Sequence, residues 1–174
     1  MRRVIGIACC VLIPAAGHAN DAKVDMTALQ QIDAAAFVPG NCRVSLSQGP
    51  ILMFECGEGT NPVIGVFGGT TSDPQIEFAV SPDIAKRCAD MGNCLEGQPF
   101  AYGDWTGGRY IVDGKFGYNT HIILVSGDAV VEITSRDLAI DVSVQNADIA
   151  MKQVGALLLC EPWGGTSPTC PMSQ

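Results

Sequence analysis

The chain has 174 residues, with 10 Lys and Arg against 18 Asp and Glu, and a net charge of −8 at pH 7. Such a chain repels phosphate backbones and anionic membrane surfaces, and no basic cluster overcomes the repulsion, so neither is expected as a partner. Its length suits one domain with a core large enough to fold alone.

The first segment is "MRRVIGIACCVLIPAAGHAND". Arg2 and Arg3 precede an apolar run from Val4 to Ala16, and Gly17-His18-Ala19 ends in small residues. This is the layout of a secretory signal peptide, residues 1–19, cut after Ala19. The run is shorter than the roughly 20 apolar residues that span a bilayer. "IACC" lacks the leucine of a lipidation box, so no stable membrane anchor is expected. Losing Arg2 and Arg3 takes the net charge from −8 to −10. Cys9, Cys10 and His18 leave with them. The remaining cysteines are Cys42, Cys56, Cys88, Cys94, Cys160 and Cys170, an even set that reads as disulfides in an exported protein. Residues 20–174 are expected to form one periplasmic or secreted domain.

Met26 to Phe37 is alanine-rich, with Leu29, Ile32 and Ala36 on one side, and reads as a helix stopped by Pro39-Gly40. A hairpin turning around Gly49 follows. One register sets Cys42 opposite Cys56, Val44 opposite Phe54 and Leu46 opposite Leu52, with Arg43 beside Glu55 and Ser45 beside Met53. That register predicts a Cys42–Cys56 disulfide. Val63 to Phe67 is an apolar run closed by Gly68-Gly69, and Gln75 to Val80 alternates as a half-buried strand.

The next helix starts with Ser81 as N-cap, Pro82 at the first position and Asp83 in the first turn. Ile84, Cys88 and Met91 form its inward stripe, and Gly92 stops it. Cys94 follows where the chain can fold back. A redox pair wants two intervening residues at a helix start, and a zinc site wants a second close pair. Cys88–Cys94 therefore reads as a structural staple.

Leu95 to Gly108 reads as an irregular glycine-rich loop holding Phe100, Tyr102 and Trp105. Asp113-Gly114 predicts a tight hairpin turn, with a bulge at Gly117. A second turn at Gly127-Asp128 sets Ile122, Leu124, Val131 and Ile133 on one apolar face and His121 beside Thr134 on the other. Leu138 to Gln145 alternates as a last strand. Asn146 caps a final helix lined by Ala150, Val154, Leu157 and Leu158. Cys160–Cys170 ties the tail back by exclusion. The expected class is α+β: an antiparallel sheet of hairpin-linked strands, helices packed on one face, and three local disulfides.

Chemistry has few footholds. His121 is the only histidine after Ala19, so any triad must use it. No G-x-S-x-G elbow and no calcium-loop pattern occurs. Gly65, Gly68 and Gly69 lack the spacing and lysine of a phosphate loop and read as a turn. No metal or cofactor is expected. Phe100, Tyr102, Trp105 and Trp163 are the candidate binding residues, because Trp and Tyr dominate recognition hot spots. The competing expectation, and the weightier one, is that they fold inward and plug the open end of a sheet. The leading expectation is a stapled, acidic binding protein of inhibitor or immunity type, with another exported protein or a glycan as partner. The alternatives are a periplasmic hydrolase using His121 with nearby carboxylates, and a non-catalytic structural component of the envelope.

Overall fold

A computed structural model describes residues 31–38, 40–49, 51–57, 63–71, 83–103 and 105–158. The segment expected as a signal peptide, the strand expected at 75–80, Trp163 and the Cys160–Cys170 pairing lie outside the described residues.

Seven strands form one antiparallel sheet: β1 (Cys42–Gln48), β2 (Ile51–Cys56), β3 (Val63–Thr70), β4 (Cys94–Tyr102), β5 (Trp105–Gly114), β6 (Gly117–Ser126) and β7 (Ala129–Asp137). Their spatial order is β1-β2-β3-β7-β6-β5-β4. Two meanders, β1 to β3 and β4 to β7, therefore meet at their last strands. Helix α1 (Ile84–Asp90) stands between the meanders in sequence, and α2 (Ile140–Leu158) follows β7. The class is α+β.

The two helices sit on opposite faces, which differs from the expected one-sided packing. Leu52, Phe54, Ile64, Val66, Ile122, Leu124, Val131 and Ile133 form the main core with Ala147, Ala150, Met151 and Val154 of α2. Successive strand residues point to opposite faces. Tyr110, Ile123 and Val130 consequently emerge on the other side, where Ile84, Cys88 and Met91 of α1 cover them. The α1 stripe is the expected one. Its N-cap is Asp83 rather than Ser81, since the Asp83 side chain accepts the Lys86 N–H at 2.9 Å.

The first hairpin begins in the expected register, with Cys42 opposite Cys56, Arg43 opposite Glu55 and Val44 opposite Phe54. It then slips by one, so that Leu46 faces Met53 and Ser47 faces Leu52. The turn closes between Gln48 and Ile51, which leaves β1 one residue longer than β2. A bulge at Ser45 absorbs the extra residue, and its hydroxyl donates to the Met53 carbonyl at 3.3 Å. The hairpin at Gly127-Asp128 keeps its expected register throughout, including Ile122 opposite Ile133 and His121 opposite Thr134.

Other expectations are corrected. Leu95 to Gly108 is not a loop but most of β4 and the start of β5. Gly65, Gly68 and Gly69 lie within β3, not in a turn. Asp113-Gly114 ends β5, and the turn is Lys115-Phe116, with Gly114 opposite Gly117. Gly117 has φ 112°, and a Cβ there would come within 2.9 Å of the Asp137 carbonyl carbon, so position and conformation both require glycine. Within the segment expected as the first helix, the described residues include a 3-10 turn, Ala34–Ala36, capped by Asp33.

Leu138 to Gln145 is not a strand. The Asp137 carboxylate accepts the Ala139 N–H at 2.8 Å, and the Ser143 N–H then bonds the Ala139 carbonyl at 3.1 Å. Asn146 is therefore inside α2 rather than capping it. Its side chain accepts from the Val38 N–H and donates to the Val38 carbonyl, both at 2.8 Å. Ser143 donates to the Ser135 carbonyl at 2.9 Å and meets the Thr120 hydroxyl at the same distance. The buried stripe of α2 thus starts with two satisfied polar residues, and the apolar alternation beside it imitates a strand.

Candidate functional site

Two disulfides hold the described chain. Cys42–Cys56 bridges β1 and β2, and Cys88–Cys94 joins α1 to the start of β4 with 5.3 Å between Cα atoms. Gly97 lets the helix settle on β4, because a Cβ there would sit 3.2 Å from Ile84 Cγ2 and from Cys88 Cβ. Cys88–Cys94 is the expected staple.

The aromatic residues singled out from sequence are brought together, but inward. Tyr102 and Trp105 are paired across the tip of the β4–β5 hairpin, on the side of α2. Trp105 is buried, at 3% exposure, within the main core. Tyr102 and Phe100 are half-buried against the same cluster. The Tyr102 ring occupies the space a side chain at Gly155 of α2 would need. Burial pushes the Tyr102 phenol above its ordinary 10.0. Arg109 lies over the Phe100 ring, 5.1 Å from its centroid, and pairs with Asp148 of α2. This hairpin tip is a plug rather than an open patch.

His121 lies on the α1 side of the sheet and is half-buried. Its Nδ1 meets Glu132 Oε1 at 2.9 Å. Tyr110 flanks it on β5 and Thr134 on β7. Arg87 reaches this face from α1 and is 4% exposed. Burial pushes its guanidinium below the ordinary 12.5, opposed first by the charge of Glu132 and then by Tyr110. Arg87 of α1 therefore feels the charge of Glu132, the same carboxylate that meets His121. The orienting carboxylate that a histidine base requires is thus present. No serine, threonine or cysteine is hydrogen-bonded to His121 among the described residues. Among those residues no group of three metal-ligating side chains occurs either.

A third place was missed from sequence. At the β5–β6 turn, Phe116 is 64% exposed, and Leu138, just after β7, is 73% exposed. With Gly117, Lys115 and Arg136 they line a cleft of about 430 Å³. Lys115 Nζ and Arg136 Cζ lie 5.2 and 5.9 Å from the Phe116 ring centroid. Exposed Ile140 lines a separate cleft with Ile111 and Val144. The only sequence signal was an aromatic residue two positions past Asp113-Gly114. Reading the turn two residues early and Leu138 as a strand residue separated the two halves of the patch.

Comparison with known proteins found no matching family, no matching curated protein and no matching solved structure.

Proposed function

We propose that this protein is exported and acts by binding another exported protein, through the Phe116–Leu138 cleft rather than the Phe100–Trp105 hairpin. The observation that carries this reading is that two large apolar side chains, each more than half exposed, line one cleft beside the β5–β6 turn. Scattered exposed apolar residues are ordinary, but adjoining ones rimmed by cations mark interaction sites. Two disulfides fit an oxidising compartment. A photo-crosslinking residue placed at position 116 in the native host should capture one discrete partner. The same residue at exposed position 86 on α1 should not. Equal capture from both positions, or none from 116, overturns the proposal.

The second reading, a hydrolase, rests on the 2.9 Å contact between His121 and Glu132. It requires a water, rather than a side chain, as the attacking group, with His121 as its base. Any ester- or glycan-hydrolysing activity of the purified protein should then vanish in His121→Ala while partner capture persists. Activity that survives the substitution ends this reading.

A further inference from the structure

Resting on the binding reading above, we infer that the Phe116–Leu138 cleft receives an apolar side chain flanked by carboxylates on a partner polypeptide. Its volume of about 430 Å³ falls in the usual range for ligand clefts, roughly 300–1,000 Å³. The floor is apolar, from Phe116 and Leu138, and both charged walls are cationic. That sign runs against the chain as a whole, which carries a net charge of −8.

Among the described residues neither Lys115 nor Arg136 is ion-paired with a carboxylate. The Asp137 carboxylate accepts the Ala139 N–H. Strand alternation places Asp113 on the α2 side of the sheet with Arg109 and Ile111, whereas Arg136 shares the opposite side with Glu132. In the unbound protein the two cations rest against the Phe116 ring, held by its quadrupole. An arriving carboxylate offers each a stronger, charge-assisted partner, while the apolar side chain takes up the floor.

An anionic bilayer is the competing source of the same chemistry, and the shape argues against it. A flat surface cannot enter a cleft. Lipid-binding patches gather about 4–8 cations, whereas this one has two on an acidic protein. The acidic field instead favours a partner that is basic overall and presents its carboxylates locally, so encounter is steered at long range and register is set at contact.

A random peptide library displayed on phage tests the assignment. It would be panned against the full chain, with the Phe116→Ser/Leu138→Ser variant as counter-selector. Both positions are exposed, so the variant should fold, and a thermal melt would check it. Enriched sequences should carry one Leu, Ile, Phe or Met with Asp or Glu on either side. In Lys115→Gln/Arg136→Gln the apolar preference should remain, the acidic preference should disappear, and affinity should fall on the order of tenfold. Enrichment of apolar residues without acids overturns the assignment of partner chemistry and leaves the binding reading intact. No enrichment over the counter-selector overturns both. Capture of wild type, but not of the serine variant, by phosphatidylglycerol vesicles overturns the polypeptide assignment in favour of a lipid surface.

Discussion

Strand β5 carries an aromatic hairpin tip at each end, and the two tips have opposite fates. At its start, Trp105 is 3% exposed and Tyr102 is tucked against Gly155. At its end, Phe116 is 64% exposed. The residue types are alike and the strand is the same. What differs is α2. The helix begins at Ile140, close to where β7 ends, and runs along the sheet until Gly155 meets Tyr102. Its far half therefore roofs one tip, while the other projects past its first turn. An aromatic residue near a turn is a plug or a handle according to whether a second element reaches it.

The largest test of that contrast is a matched pair of truncations. Trp105→Ala should cost about 3–5 kcal/mol of stability, the usual penalty for emptying a large buried site. Phe116→Ala should stay within about 0.5 kcal/mol. Urea denaturation of both variants gives the comparison, and similar losses would break it. Next in size is removal of the Cys42–Cys56 bridge by a double serine substitution. Its ends are 14 residues apart, so about 3 kcal/mol should be lost in the chain-entropy model. Because that bridge is remote from Phe116 in the sheet order, partner capture by the folded variant should be unchanged.

Gly155→Ala sharpens the account of the covered tip. The new methyl would fall 2.6 Å from Tyr102 Oη and force the ring aside. Overpacking of about 1–3 kcal/mol is partly offset by about 1 kcal/mol of helix propensity, leaving a modest net loss and a shift in Trp105 fluorescence. An unmoved emission maximum would contradict the packing. The smallest effect is alkaline. Since burial raises the Tyr102 phenol above 10.0, the unfolded chain ionises first. The contribution is complete below pH 10.0 and fades as pH climbs through the folded-state value. Tyr102→Phe should therefore flatten the fall in stability above pH 10.0, and an unchanged slope would count against burial of that phenol.

Much of the fold was legible where local pattern and pairing agree. Around Gly127-Asp128, Ile122 and Leu124 on one arm and Val131 and Ile133 on the other share a face in the register the turn sets, and β6 and β7 adopt it. The α1 stripe and the Cys88–Cys94 staple were readable because 3- and 4-residue spacing places Ile84, Cys88 and Met91 on one side. The start of α2 was not, since Ser143 and Asn146 occupy buried positions that only long-range partners make acceptable. Those partners are the Ser135 and Val38 backbones. The Leu95–Gly108 strands were hidden by glycines. Gly107 and Gly108 are required by neighbours that approach from other strands and from the Tyr110 ring, so they mark crowding rather than looseness.

The candidate site divides the same way. Histidine and aromatic residues could be named from the chain, and the His121–Thr134 pairing followed from turn and register, which are local properties of one hairpin. Whether Trp105 faces water, whether Phe116 meets Leu138, and on which face each helix lies depend on elements distant in sequence. Alternation along a strand specifies that two faces exist. It carries no information about what comes to rest on either one, because burial is a property of the assembled layers.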